Sequence, residues 1–243
     1  MTAKKKEKPL YLLACFALLA VLLGSLLLAV TIGSVQIPVG DAYRVILHRL
    51  FGLYDASAYG AGRIHDVVLM IRLPRLILAA AVGMGLSVSG VVMQAVVKNP
   101  LAEPYVLGIS SGASLGATLA ILLGVGVIFG GNYVGVTACI GAFAISIAVV
   151  GLANIGGRAT SVKLLLAGMA LSALCSAFSS CVVYFSNDRD ATREVSFWMM
   201  GSLAGAEWET NAVILPLTVL GVLFFWTQHR TLNLMLLGDE ASI

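Results

Sequence analysis

The sequence predicts an all-α membrane protein with several spanning helices, on the evidence of its composition and its long apolar runs. Hydrophobic residues make up 59% of the chain and charged residues only 11%, whereas soluble domains carry roughly 25% charged residues. A chain this apolar would leave too much hydrophobic surface in water, so a soluble globular domain is excluded. A helix closes its backbone hydrogen bonds within one segment and is therefore the expected spanning form.

Six apolar runs predict about six transmembrane helices, each near the roughly 20 residues that a bilayer requires. They cover about residues 10–32, 73–97, 105–129, 133–155, 163–185 and 212–227. A lysine-rich cluster, Lys4–Lys8, precedes the first run and would also suit a signal peptide. Because the run is longer than the apolar part of a signal peptide, about 7–15 residues, we expect a retained helix.

The distribution of basic residues predicts a cytoplasmic N-terminus, since positive charge collects on the cytoplasmic side of a membrane. With that orientation every lysine lies inside: Lys4, Lys5, Lys6, Lys8, Lys98 and Lys163. Several arginines then lie outside and need another explanation: Arg44, Arg49, Arg63, Arg72, Arg75, Arg189 and Arg193.

The chain is predicted to form a single transmembrane domain, residues 1–243, with two external segments that are more than turns. Residues 36–66 hold Pro38 and Asp41 ahead of an amphipathic stretch, which predicts a short helix at the membrane interface. Residues 187–205 predict a second short surface helix before the last span. Residues 228–243 would begin a cytoplasmic loop.

The sequence lacks the residues that several classes of function require. There is no G-x-x-x-x-G-K-[ST] motif for nucleotide phosphates and no basic run with interleaved aromatics for nucleic acid. The histidines are scattered and no His/Asp/Glu set converges within the spans, so an intramembrane enzyme is not expected. The four cysteines lie inside apolar runs without a C-x-x-C pair, so we expect no metal site, disulfide frame or cofactor.

Small residues recur at every fourth position in two of the spans, over Gly108–Gly124 and Gly168–Ser180. Such stripes let helix backbones pack closely in lipid. They predict a tightly packed bundle and carry no chemistry of their own.

Three segments together carry a resemblance to a known family. The first holds Arg72-Leu73-Pro74-Arg75, the second Asn99-Pro100-Leu101-Ala102 followed by Leu107-Gly108-Ile109-Ser110-Ser111-Gly112, and the third Leu164-Leu165-Leu166-Ala167-Gly168 followed by Phe197-Trp198-Met199-Met200-Gly201. In this order the chain resembles the permeases of iron–siderophore, haem and cobalamin ABC importers, the type II, FecCD-like class.

The resemblance implies a transporter subunit of the bacterial inner membrane that changes no bond in its ligand. Permeases of this family have ten helices per subunit and form homodimers. Two cytoplasmic ATPase subunits supply energy, and a periplasmic or lipid-anchored binding protein delivers the ligand. This chain would correspond to the N-terminal part of such a permease. The alternative is a truncated, non-transporting fragment of one.

The resemblance also assigns expected roles outside the membrane. Arg72 and Arg75 would dock the binding protein, because arginine pairs bidentately with carboxylates; the alternative is that they anchor the span at the lipid headgroups. Arg193, Trp198 and Met199 would belong to an external helix at the mouth of the pathway.

On the cytoplasmic side the resemblance places a gate and a coupling element. Asn99, Leu101, Ser161 and Val162 would narrow the pathway, although an Asn-Pro pair also serves as plain loop punctuation. Gly238, Asp239 and Glu240 match the opening of the segment that couples the permease to its ATPase.

Overall fold

The computed structural model describes residues 3–33, 35–54, 59–157 and 159–237, and in these ranges the chain is helical with no strand. We number the helices α1 Ala3–Thr31, α2 Val39–Phe51, α3 Arg63–Val97, α4 Ile109–Leu123, α5 Tyr133–Asn154, α6 Ser161–Phe185, α7 Arg189–Met200, α8 Trp208–Thr227 and α9 His229–Leu237. Two 3₁₀ segments, Pro104–Leu107 and Val127–Asn132, precede α4 and α5.

Among the described residues, five segments are long and apolar enough to cross a membrane, which confirms a polytopic helical membrane protein. They are Tyr11–Thr31, Arg63–Val97, Val127–Asn154, Ser161–Phe185 and Trp208–Thr227.

The third predicted span is shorter than its apolar run indicated. The helix α4 has 15 residues, which gives about 22 Å at 1.5 Å per residue against a hydrocarbon core of roughly 30 Å. Left-handed glycines bound it, Gly108 at φ 75° and Gly124 at φ 68°. Glycine adopts this backbone conformation at no steric cost. The helix therefore begins and ends at these glycines, although the apolar sequence continues on both sides.

The described chain divides into two compact units, and the division falls within α3 and α8. The first unit comprises 1–83 and 203–219, and the second 84–202 and 220–243. The first is built around a cluster that joins the end of α1, α2 and the start of α3: Val30, Ile37, Ala42, Val45, Val68 and Leu69. Ala42 and Val45 form the buried face of α2, so the short helix predicted after Pro38 is present.

The second unit is centred on α4, which packs against α5 and α6. A Cβ on Gly112 would lie 2.6 Å from the carbonyl oxygen of Gly141, and one on Gly116 would lie 2.5 Å from that of Thr137. Both distances are below van der Waals contact, so the α4–α5 crossing requires glycine at these positions. The α4 stripe therefore serves close packing, as predicted from the sequence.

Candidate functional site

The Arg72-Leu73-Pro74-Arg75 motif lies inside α3, immediately after a stretch of π-helix at Val67–Arg72. Arg72 is 8% exposed. Its guanidinium donates to the carbonyl oxygen of Val30 at 2.6 Å and also to that of Val35. The prediction that Arg72 faces outward does not match this geometry, because the segment after α1 folds over the side chain and supplies buried acceptors for its charge.

Arg75 differs from Arg72 although the two are one helical turn apart. It is exposed, and its Nη2 donates to the carbonyl oxygen of Ala204 at 2.9 Å. Of the two arginines predicted to dock a binding protein, Arg72 is buried and Arg75 exposed, and docking by Arg75 stays a prediction.

In the second unit, α4, α6 and α7 enclose a cavity of about 830 Å³. Volumes of about 300–1,000 Å³ are typical of ligand sites. Most of the lining side chains carry a hydroxyl group: Tyr105, Ser110, Ser111, Ser114, Thr118, Ser176, Ser179, Ser180, Tyr184, Thr192 and Ser196. The remaining lining residues are Val195, Trp198 and Met199 of α7, Ala113 of α4 and Val183 of α6.

The lining of this cavity combines hydroxyl groups with apolar side chains and is uncharged. No acidic or basic side chain belongs to the described lining. The Oγ of Ser179 is buried and has no hydrogen-bond partner among the described residues. Hydroxyl groups both donate and accept, so the walls offer weak contacts to a polar ligand and no fixed charge that would trap it.

The α6 stripe divides between packing and cavity. The start of the stripe packs against Gly108, the residue that precedes α4. A Cβ on Gly108 would lie 3.1 Å from the carbonyl oxygen of Gly168 and 2.8 Å from the Oγ of Ser172. Further along, Ser176 and Ser180 line the cavity instead. The stripe predicted packing along its whole length and gave no sign of this second role, since periodicity alone does not separate a packed helix face from one that lines a cavity.

The short helix α7 is fixed at both its start and its inner face. The carboxylate of Asp188 caps it by accepting from the backbone N–H of Asp190 at 2.9 Å and of Ala191 at 3.0 Å. Val195 is its buried residue. Arg193 points away from the cavity, with its guanidinium 5.4 Å from the ring centre of Phe197. Of the predicted α7 residues, Trp198 and Met199 reach the cavity and Arg193 does not.

The predicted gate stretches lie at the opposite end of α6. Ser161 and Val162 line a hollow of about 630 Å³ with Lys98 from the end of α3. Asn99 follows Lys98, and its Oδ1 accepts a hydrogen bond from the backbone N–H of Leu101 at 2.9 Å. Leu101 is 84% exposed. This bond forms a tight turn of the Asx type. The hollow brings Ser161 and Val162 beside Lys98, while Asn99 and Leu101 do not line it.

The turn is joined to α6 by a small apolar cluster. Met93, Val97 and Ala102 form it, with Leu107 and Leu165 packed against them. Gly238, Asp239 and Glu240, predicted to couple to the ATPase, lie outside the described residues.

Known proteins similar to this chain are membrane transport proteins. The ABC transporter permease YvrB of Bacillus subtilis is 34% identical and covers 93% of this chain and 63% of its own length. The hemin transport permease HmuU of Yersinia pestis is 43% identical, and the vitamin B12 import permease BtuC of Escherichia coli O157:H7 is 39% identical; each covers 72% of this chain and 52% of its own length. The chain thus spans between about half and two thirds of these relatives.

A solved structure is similar over the same extent. It is described as an inward-facing conformation of a metal-chelate type ABC transporter, with a TM-score of 0.70 and 27% identity, and the match covers 93% of this chain and 63% of the other. A sequence model of the FecCD transport family matches residues 19–243. This chain therefore belongs to the FecCD transport family.

Proposed function

We propose that this chain is the permease subunit of an ATP-binding-cassette importer, with its pathway along α4, α6 and α7. One observation carries the proposal. Two motifs that lie far apart in sequence and together mark the family contribute to one cavity, Ser110 and Ser111 from the first, Trp198 and Met199 from the second. A cavity built from the family's motifs is the best candidate for the common task of the family, moving a ligand through the membrane.

The two hollows along α6 support a pathway with two ends. Val183 lines the hydroxyl-rich cavity and Ser161 lines the other hollow. These two positions are 22 residues apart, which corresponds to about 33 Å of helix, similar to the hydrocarbon thickness of a membrane. We assign the α7 end to the outer mouth and the Ser161 end to a cytoplasmic gate, with the N-terminus of the chain in the cytoplasm.

The neutral lining fits a subunit that lets its ligand pass and does not store it. Tight binding in the membrane would slow release, and weak, multiple hydroxyl contacts avoid it. Recognition and energy would then come from partners: a binding protein that docks through Arg75, and cytoplasmic ATPase subunits. A second copy of the permease would complete the assembly.

The relatives indicate the ligand class to test first, namely a metal chelate, haem or cobalamin. The experiment is uptake in cells that lack their own importers for these ligands and produce this permease with the ATPase and binding protein of its source. Radiolabelled iron–siderophore, haem and cobalamin are offered in turn. ATP-dependent uptake of one of them supports the proposal, and no uptake of any of them contradicts it.

The position of the pathway has its own test. Ser111→Phe and Ser180→Phe each place a ring in the hydroxyl-rich cavity and should abolish uptake while the protein still inserts. Ser25→Phe is the matched control, because Ser25 is exposed on α1 and does not line this cavity. Normal uptake by both cavity variants would show that the ligand takes another route.

A further inference from the structure

The π-helical stretch before Pro74 leaves one backbone carbonyl without its helical partner. In this register the N–H of Leu73 donates to the carbonyl of Val68, five residues earlier. The next bond of the series would run from residue 74 to the carbonyl of Leu69, but proline has no N–H to donate. An unpaired carbonyl within a membrane protein is costly.

The indole of Trp208 supplies the missing donor. Its Nε1 lies 2.9 Å from the carbonyl oxygen of Leu69. Trp208 is the first residue of α8, and the bond joins positions 139 residues apart in sequence. The side chain thus does what the backbone of residue 74 cannot do.

One turn along α8, Asn211 makes a second bond to the same place. Its side-chain amide donates to the carbonyl oxygen of Pro74 at 2.9 Å and to that of Glu207 at 3.1 Å, and the residue is 3% exposed. Both α8 side chains therefore bond backbone carbonyls of α3 at Pro74 or five residues before it.

The same segment carries the acceptor for Arg75. Ala204, whose carbonyl oxygen accepts from Arg75, lies four residues before Trp208. We propose that Trp208 is a positioning residue for Arg75: by replacing the N–H that Pro74 lacks, it fixes the loop 203–207 against α3 and so holds the exposed guanidinium of Arg75 in place. This inference rests on the docking role proposed above for Arg75.

A melting-temperature cycle tests the hydrogen bond itself. Trp208→Phe keeps an apolar ring but removes the indole donor and part of the ring area, so the permease should melt about 2–4 °C lower. In a Pro74→Ala background a backbone N–H can reach Leu69, so the loss should become smaller by the share that the hydrogen bond contributes. Trp226→Phe, the same change at an exposed position of α8, is the control. An equal loss in both backgrounds would overturn the inference, because simple packing by the ring is not rescued at residue 74.

A second measurement tests positioning in the complete importer with its ATPase and binding protein. Trp208→Phe should raise the binding-protein concentration for half-maximal ATPase stimulation about two- to tenfold, with the maximal rate unchanged. In an Arg75→Ala background it should have no further effect. The same rise in that background would overturn the positioning role. If Arg75→Ala alone leaves the half-maximal concentration unchanged, docking by Arg75 is wrong and positioning fails with it, whereas the melting cycle is decided independently.

Discussion

Arg72 donates a 2.6 Å hydrogen bond to the carbonyl oxygen of Val30, 42 residues earlier in the chain. The guanidinium also bonds Val35 and is buried. Gly33 lies against it, since a Cβ there would be 2.8 Å from Nη2. The end of α1 and the connection to α2 are thus organised around one positive charge whose acceptors are backbone dipoles.

The two motif arginines should separate into a stability residue and a surface residue. Arg72→Met removes the donor of one buried and one partly buried carbonyl and should destabilise the permease by about 2–4 kcal/mol. Arg75→Met, the matched control, loses one exposed bond and should change stability by less than about 1 kcal/mol. Thermal denaturation of the purified proteins measures both. Equal melting temperatures for the two variants would contradict the buried role of Arg72.

Two glycines inside apolar helices should respond oppositely to alanine. Gly112→Ala forces a Cβ against the carbonyl of Gly141, and because backbone on both helices must move we expect a loss of about 1–3 kcal/mol. Gly151→Ala on α5 places its Cβ in open space and should gain up to about 1 kcal/mol from helix propensity. Melting temperatures compare the two. A neutral Gly112→Ala would show that α4 and α5 cross less closely.

The cap of α7 should control the order of the helix at the cavity. Asp188→Ala removes the acceptor of two backbone N–H groups and should cost about 0.5–2 kcal/mol. Asp188→Asn keeps a capping oxygen and serves as the control. Hydrogen exchange of the amides at 190–193 is the measurement. We expect faster exchange in the alanine variant alone, and slow exchange in both would exclude capping by this side chain.

The topology should be visible in single-cysteine labelling. In a background without Cys15, Cys139, Cys175 and Cys181, a cysteine at position 190 should react with an impermeant reagent from the periplasm. A cysteine at exposed position 101 should react only after the membrane is opened. The lysine distribution and the crossing of α6 between these positions motivate this. Labelling of both from one side would contradict the orientation.

The sequence by itself determined the class of the molecule and the position of most of its helices. Composition and apolar runs require a bilayer, and a bilayer requires closed hydrogen bonding, so five of the six predicted spans are crossing-length helices. The short helices after Pro38 and Asp188 were also predictable, because proline, capping acids and amphipathic spacing are local signals. The motifs identified the family for the same reason: they are contiguous in the chain.

Tertiary structure decided which side chains are buried and which are exposed. The two arginines of one motif look alike in sequence, yet Arg72 is buried because distant carbonyls meet it, and Arg75 is exposed. The serines of α6 repeat regularly, yet some pack and others line a cavity. The carbonyl left unpaired by Pro74 finds its donor on Trp208. Each outcome depends on which segment arrives from elsewhere in the chain, and local spacing carries no information about that partner.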